Sequence, residues 1–241
     1  MPFGATRLGY RSLFKKPIGL PDRSGNTNKV LVFYGTPTAY RNNPPNTYVW
    51  PNIRDREILL SNDPTLIIGY ENLPADLREY SHIWDIGYNS IYNTAHNPSA
   101  KLLYYLQSGG GLFLLGENIG FLPRDDAITT FIKAAGGGNI AVSRTLSVSL
   151  YTTTVNSEFL IANNSTSVTL NAPNGFTSVG TGTPITSPII GTYPAVCWKT
   201  GSLSNALNGS ITSVLDVNFM DTTGNTNFPF VDNIIATLNK K

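Results

Sequence analysis

Lys101–Phe121, KLLYYLQSGGGLFLLGENIGF, decides the fold. Leu102, Leu103 and Leu106 recur at helical spacing, so the stretch opens as a helix. Gly109, Gly110 and Gly111 end that helix and let the chain turn. Leu112–Leu115 is short and wholly apolar, the pattern of a parallel strand covered on both faces. Gly116-Glu117-Asn118-Ile119-Gly120 follows at the strand's carboxyl end, where open α/β sheets usually hold their ligands.

Working outward, Lys29–Tyr34 (KVLVFY) reads as a first strand closed by Gly35. Thr36–Pro51, rich in Pro, Asn and Tyr, reads as a long loop, and Asn52–Ser61 as a weak helix. Leu66–Gly69 is a short second strand, Leu73–Tyr80 a helical turn, and Ser81–Ile86 a third strand. Beyond the central unit, Ile128, Phe131 and Ile132 give Asp125–Ala135 a helical apolar face. Asp125 and Asp126 in its first turn suit the helix dipole. Asn139–Arg144 is a further strand. Strands alternating with helices predict a mostly parallel sheet covered on both faces.

The composition changes at Thr145, after which Thr, Ser, Val and Asn dominate to about residue 191. Short alternating runs such as Ser147–Tyr151 and Ser167–Leu170 predict a β-rich insertion of hairpins. Ala195–Lys199 and Ile211–Val217 then rejoin the sheet, and Phe228–Leu238 is a closing helix. Met1–Asn28 reads as an extended arm: Pro2, Pro17, Pro21 and several glycines break regular structure. It carries Arg7, Arg11, Lys15, Lys16 and Arg23 against one acid, Asp22, yet also Phe3, Tyr10, Phe14, Ile18 and Leu20. The chain therefore divides into an arm, 1–28, and an α/β domain, 29–241.

The strand-and-turn pattern resembles the class I glutamine amidotransferase-like superfamily, a flavodoxin-like group that includes ThuA-like proteins. In that family the strand runs into a tight turn, often G-x-C-x-G, that presents a nucleophile. Here the turn is G-E-N-I-G, with Asn118 where the cysteine would stand. An amide is not a usable nucleophile at neutral pH, so the family's cysteine chemistry is not carried over. The likeness covers roughly residues 28–144, with a looser match over 210–238. The start MPFGATRLGY also resembles the openings of phage structural proteins.

Only 13 % of residues are charged, about half the usual share, and the net charge is +2. A surface of neutral polar groups suits extracellular or virion proteins. So small a net charge does not point to nucleic acid. No run approaches the roughly 18 apolar residues of a membrane helix, and the amino terminus holds no signal-peptide h-region. Release by cell lysis within a phage particle removes the need for a signal; a cytoplasmic or signal-less extracellular location is the alternative. The single cysteine, Cys197, sits in an apolar strand and reads as a packing thiol. With two histidines beside it, a structural zinc site is not expected, and no cofactor is implied.

The candidate site residues are Glu117, Asn118, His96, Tyr92 and Trp50. Glu117 can act with Asp85 or His96 as an acid–base pair, or can simply hold the turn by hydrogen bonds. His82, in a strand, reads as a satisfied core residue. Asp216-Val217-Asn218 with Asp221 offers oxygen ligands for a cation, though a turn cap fits the same spacing. Tyr34, Tyr40, Tyr48, Trp50, Tyr88 and Tyr92 cluster at strand ends, where they can stack on a sugar, meet a partner protein or roof the sheet.

These features point to a non-enzymatic structural protein of a phage virion, at the neck, tail or shell surface. Its arm, through Arg7, Tyr10, Arg11, Phe14, Lys15 and Lys16, would contact neighbouring subunits and other virion proteins in a homo-oligomeric assembly. A carbohydrate- or small-ligand-binding module is the first alternative, and a hydrolase using Glu117 and His96 the second.

Overall fold

The computed structural model describes residues 27–35, 49–88, 97–220 and 227–239. They form an α/β fold around a seven-stranded sheet of order β2-β1-β3-β4-β11-β10-β9. The strands are β1 (Lys29–Tyr34), β2 (Asp63–Ile68), β3 (His82–Asp85), β4 (Gly111–Leu115), β9 (Thr183–Pro184), β10 (Ala195–Trp198) and β11 (Ser210–Val214). From β2 to β11 all neighbours run parallel, while β10 and β9 are antiparallel additions. The parallel part has the flavodoxin order 2-1-3-4-5, with β11 as its fifth strand.

The helices are α1 (Val49–Leu59), α2 (Ser99–Gln107), α3 (Leu122–Ala134) and α4 (Phe228–Leu238). Period-two alternation sends Val30, Val32, Trp84, Phe113 and Val214 to one face of the sheet, where α1, α4 and much of the insertion pack. Leu31, Phe33, Ile83, Leu112 and Leu114 point to the other face, under α2 and α3. Burial on both faces explains why β1 and β4 read as continuous apolar runs.

Between α3 and β10 lie β5 (Ile140–Val142), β6 (Leu150–Thr154), β7 (Ser167–Asn171) and β8 (Phe176–Val179). They form two antiparallel pairs, β5 with β8 and β6 with β7. The sequence expectation that the strand after α3 continues the alternating pattern is corrected here: β5 leaves the main sheet, and β11 takes the place beside β4.

Three other boundaries shift for physical reasons. The loop expected over 36–51 gives way to helix already at Val49, with Pro51 inside its first turn, where proline's missing N–H costs nothing. The helical turn expected at Leu73–Tyr80 is a single 3₁₀ turn at Tyr70–Asn72; Leu73 is extended at ψ 132, as its successor Pro74 demands. The second strand begins at Asp63 rather than Leu66, because Pro64 is tolerated on an edge. On β2 the Asp63 and Gly69 N–H groups donate to the Asn28 and Tyr34 carbonyls. By alternation the backbone groups of Pro64, Leu66 and Ile68 point away from β1; Pro64 has no donor, and the Ile68 carbonyl accepts from Asn72 Nδ2 at 2.8 Å. The opposite edge also carries a proline, Pro184, whose carbonyl accepts from Asn156 Nδ2 at 2.6 Å.

Among the described residues no helix is long and apolar enough to cross a membrane. Cys197 is buried, facing the core that packs under α4.

Candidate functional site

The turn after β4 stands at the carboxyl end of the sheet's centre. Gly116 leaves room for its neighbours there: a Cβ on it would lie 2.4 Å from Leu215 Cδ2 and 2.5 Å from Asp125 Oδ1, and those side chains would have to shift. Asn118 caps the following 3₁₀ turn (Ile119–Phe121), its Oδ1 accepting from Gly120 N–H at 2.8 Å. Its Nδ2 donates to Glu117 Oε1 at 2.8 Å, and its own N–H donates to the same oxygen at 3.0 Å. The second carboxylate oxygen of Glu117 accepts from Val217 N–H at 2.7 Å, fastening β4 to the end of β11.

Three more carboxyls surround this turn. Asp125, in the first turn of α3, accepts from Glu117 N–H at 3.2 Å and from Asn174 Nδ2 at 2.7 Å. Asp216 accepts from Asn171 N–H at 2.7 Å and Asn218 N–H at 2.8 Å. Asp85, ending β3, pairs with the buried Arg124 of α3 at 2.9 Å. Arg124 Nε also donates to the Leu115 carbonyl at 2.9 Å, tying β3 to β4. Asn171 and Asn174 belong to the insertion, which thus closes over the strand ends.

Burial shapes the charge states. It pushes Glu117 up to about 7, against the pull of its backbone and Asn118 hydrogen bonds. It pushes Asp125 up to about 7 as well, despite Asn174 and the nearby Arg124. Asp216 is raised well above the ordinary carboxylate range, first by burial and then by the charge of Glu117. The Tyr88 hydroxyl is pushed up to about 12 by burial and by Glu117, with its ring edge-on to Phe121 at 5.2 Å. Carboxyls poised near neutrality suit proton transfer, but Glu117 is 1 % exposed and both its oxygens are engaged by neighbouring amides.

Of the sequence-derived candidates, Glu117 and Asn118 meet at this turn. Trp50 is half-buried on α1 and packs against the core under α4. Tyr34 and Tyr88 are buried beneath the strand ends. His96, Tyr92, Tyr40, Tyr48 and Asp221 lie outside the described residues, as do Arg7, Tyr10, Arg11, Phe14, Lys15 and Lys16 of the arm. Asp216 makes the turn cap that its spacing allowed. Among the described residues no cluster of His, Cys, Asp or Glu is arranged to hold a metal. Arg124 and Asn174 went unread in the sequence. Arg124 carried a signal: a cation in the first turn of a helix opposes the dipole and calls for a local carboxylate.

The sheet's amino end holds a second buried network. Glu57 Oε1 accepts from Trp84 Nε1 at 2.7 Å and faces His82 Nε2 at 2.6 Å, while its Oε2 accepts from Asn62 Nδ2 at 2.7 Å. His82 Nδ1 faces Asn239 Oδ1 at 2.8 Å and Ser81 Oγ at 3.0 Å. His82 is therefore a satisfied core residue joining α1, β3 and the end of α4. Near that end a cavity of about 340 Å³ is lined by Phe159, Ile161, Cys197, Lys199, Ser210 and Thr237. None of the candidate site residues lines it.

No protein-family model matches the sequence, and no curated protein matches it. Solved structures do resemble the fold. The mmIFT52 N-terminal domain aligns over 88 % of this chain and 98 % of its own, at 16 % identity and TM-score 0.59. The exo-beta-1,4-mannosidase Op5Man5 from Opitutaceae bacterium strain TAV5 aligns over 90 % of this chain, at 11 % identity and TM-score 0.57. This chain spans 36 % of that enzyme's length. A ThuA-like protein from Bacteroides uniformis aligns over 89 % of this chain and 94 % of its own, at 13 % identity and TM-score 0.49. At such identities the likeness concerns fold alone.

Proposed function

We propose that the protein is a non-enzymatic assembly component, a structural protein of a phage virion that contacts copies of itself and other virion proteins through its basic arm. One observation carries the reading. At the turn where the resembled family presents its nucleophile, Glu117 and Asn118 are spent on holding backbone amides, and the insertion closes over them. The polar groups there bind the protein's own loops, which is the work of a strut. The low-charge surface and the basic arm support a role in a crowded particle.

The test reverses the arm's charge in the full chain: Arg7→Glu, Arg11→Glu, Lys15→Glu and Lys16→Glu together. Circular dichroism should remain that of the parent, while sedimentation and electron microscopy should report loss of assembly. Normal assembly by this variant would end the reading. So would glutamine hydrolysis on Asn118→Cys, since that gain would mark a disabled enzyme.

A further inference from the structure

The last turn of α1 and the residue after it present Ile58, Leu59 and Leu60 in succession, 56, 65 and 40 % exposed. The helix closes just beyond them. Asn62 N–H donates to the Glu57 carbonyl at 2.9 Å, and Ser61 takes the left-handed conformation at φ 64. This closing turn is bonded to the root of the arm: Asp63 N–H donates to the Asn28 carbonyl at 2.8 Å, and Asn28 Nδ2 donates to the Ser61 carbonyl at 3.4 Å. Asn28, at the root of the arm, is therefore bonded to a turn that stands beside an apolar patch.

We propose that Ile18-Gly19-Leu20 of the same chain covers Ile58, Leu59 and Leu60, leaving the basic segment from Arg7 to Lys16 for the neighbouring subunit. The proposal deepens the assembly reading and rests on it for the role of the distal segment.

Reach favours the chain's own segment. Leu20 lies seven residues before Thr27, a span of up to about 25 Å when extended. Ile58 is roughly 5 Å along the helix axis from Ser61. Attachment at Asn28 gives the segment a high local concentration that a second chain lacks in dilute solution. Pro17 and Pro21 bracket the segment, and a residue before proline is biased to extended conformations. Leu20 is such a residue, so docking orders less of the chain. Charge agrees as well: Arg23 lies four residues before Thr27, and Asp63 is exposed at the start of β2.

Hydroxyl-radical footprinting of the full chain at monomeric dilution tests this. Ile58, Leu59 and Leu60 should oxidise slowly, and the Ile18→Asp/Leu20→Asp variant should lose that protection while its circular dichroism stays that of the parent. Leu59→Asp is the reciprocal variant and should expose Ile18 and Leu20. Protection that arises only at concentrations where the chain oligomerises would assign the patch to a neighbour's arm and overturn the proposal. Rapid oxidation of the patch in the parent at every concentration would also overturn it. The charge-reversed arm variant separates the two readings. Lost assembly with the patch still protected supports both, whereas retained assembly with protection intact ends the assembly reading alone.

Discussion

The two ends of the parallel sheet solve the same problem with opposite materials. At the amino end, Glu57, His82, Trp84, Asn62 and Asn239 satisfy one another, side chain to side chain, across α1, β3 and α4. At the carboxyl end, Asp85 pairs with Arg124, while Glu117, Asp125 and Asp216 are satisfied largely by backbone amides of loops. The first arrangement joins regular elements to each other. The second holds irregular chain in place and gathers buried carboxyl groups to do so. Anchoring loops by buried carboxyls makes the carboxyl end depend on protonation, since burial raises Glu117, Asp125 and Asp216.

The largest break in this comparison should come from Arg124→Met. It leaves Asp85 buried without its cation, and chemical denaturation should report a loss of about 3–5 kcal/mol. A loss under about 1 kcal/mol, the size of an exposed pair, would mean Asp85 does not depend on that partner. Leu114→Ala, in the core between the two ends, should cost about 2–5 kcal/mol. A variant as stable as the parent would undo the picture of β4 as a central strand.

The next effect is on pH. Glu117 and Asp125 sit near 7 in the fold against ordinary values of 4.5 and 3.8. The folded chain thus keeps protons that the unfolded chain has released. This stabilisation is complete below about pH 4 and is lost as pH rises through 7. Urea midpoints should fall from pH 5.5 to pH 8, by on the order of a few kcal/mol in stability. Glu117→Gln should flatten that slope, and an equal slope in the variant would sever the link to this carboxyl. The smallest effect belongs to Asn118→Ala, roughly 1 kcal/mol for a lost turn cap. A loss several times larger would make Asn118 more than a cap.

Much of this architecture was legible locally. Leu112–Leu115 announced a buried strand because both its faces are covered, and Gly116 announced the turn because Asp125 and Leu215 press against it. His82 and Cys197 read correctly as core residues for similar reasons. What escaped was closed by distant chain. Nothing near Leu114 in sequence says that its carbonyl meets Ser213 Oγ, 99 residues on, or that β5 yields its place to β11. Asp125 looked like a residue serving its own helix dipole. Its partner Asn174 stands 49 residues away in an insertion whose own pattern specifies hairpins but not their docking. The site's polar logic lies in such pairings, which periodicity does not encode.

Proline in both outer strands has a consequence for crowding. A row of free N–H and C=O groups along a sheet margin invites a second molecule to add its own strand, and that process has no natural stopping point. Here Pro64 withholds a donor on one margin and Asn72 occupies a carbonyl, while Pro184 and Asn156 do the same on the other. Molecules packed side by side at high local density can therefore touch without fusing their sheets. Contact is left to side chains, whose geometry limits association, whereas open sheet margins would let strands add without end.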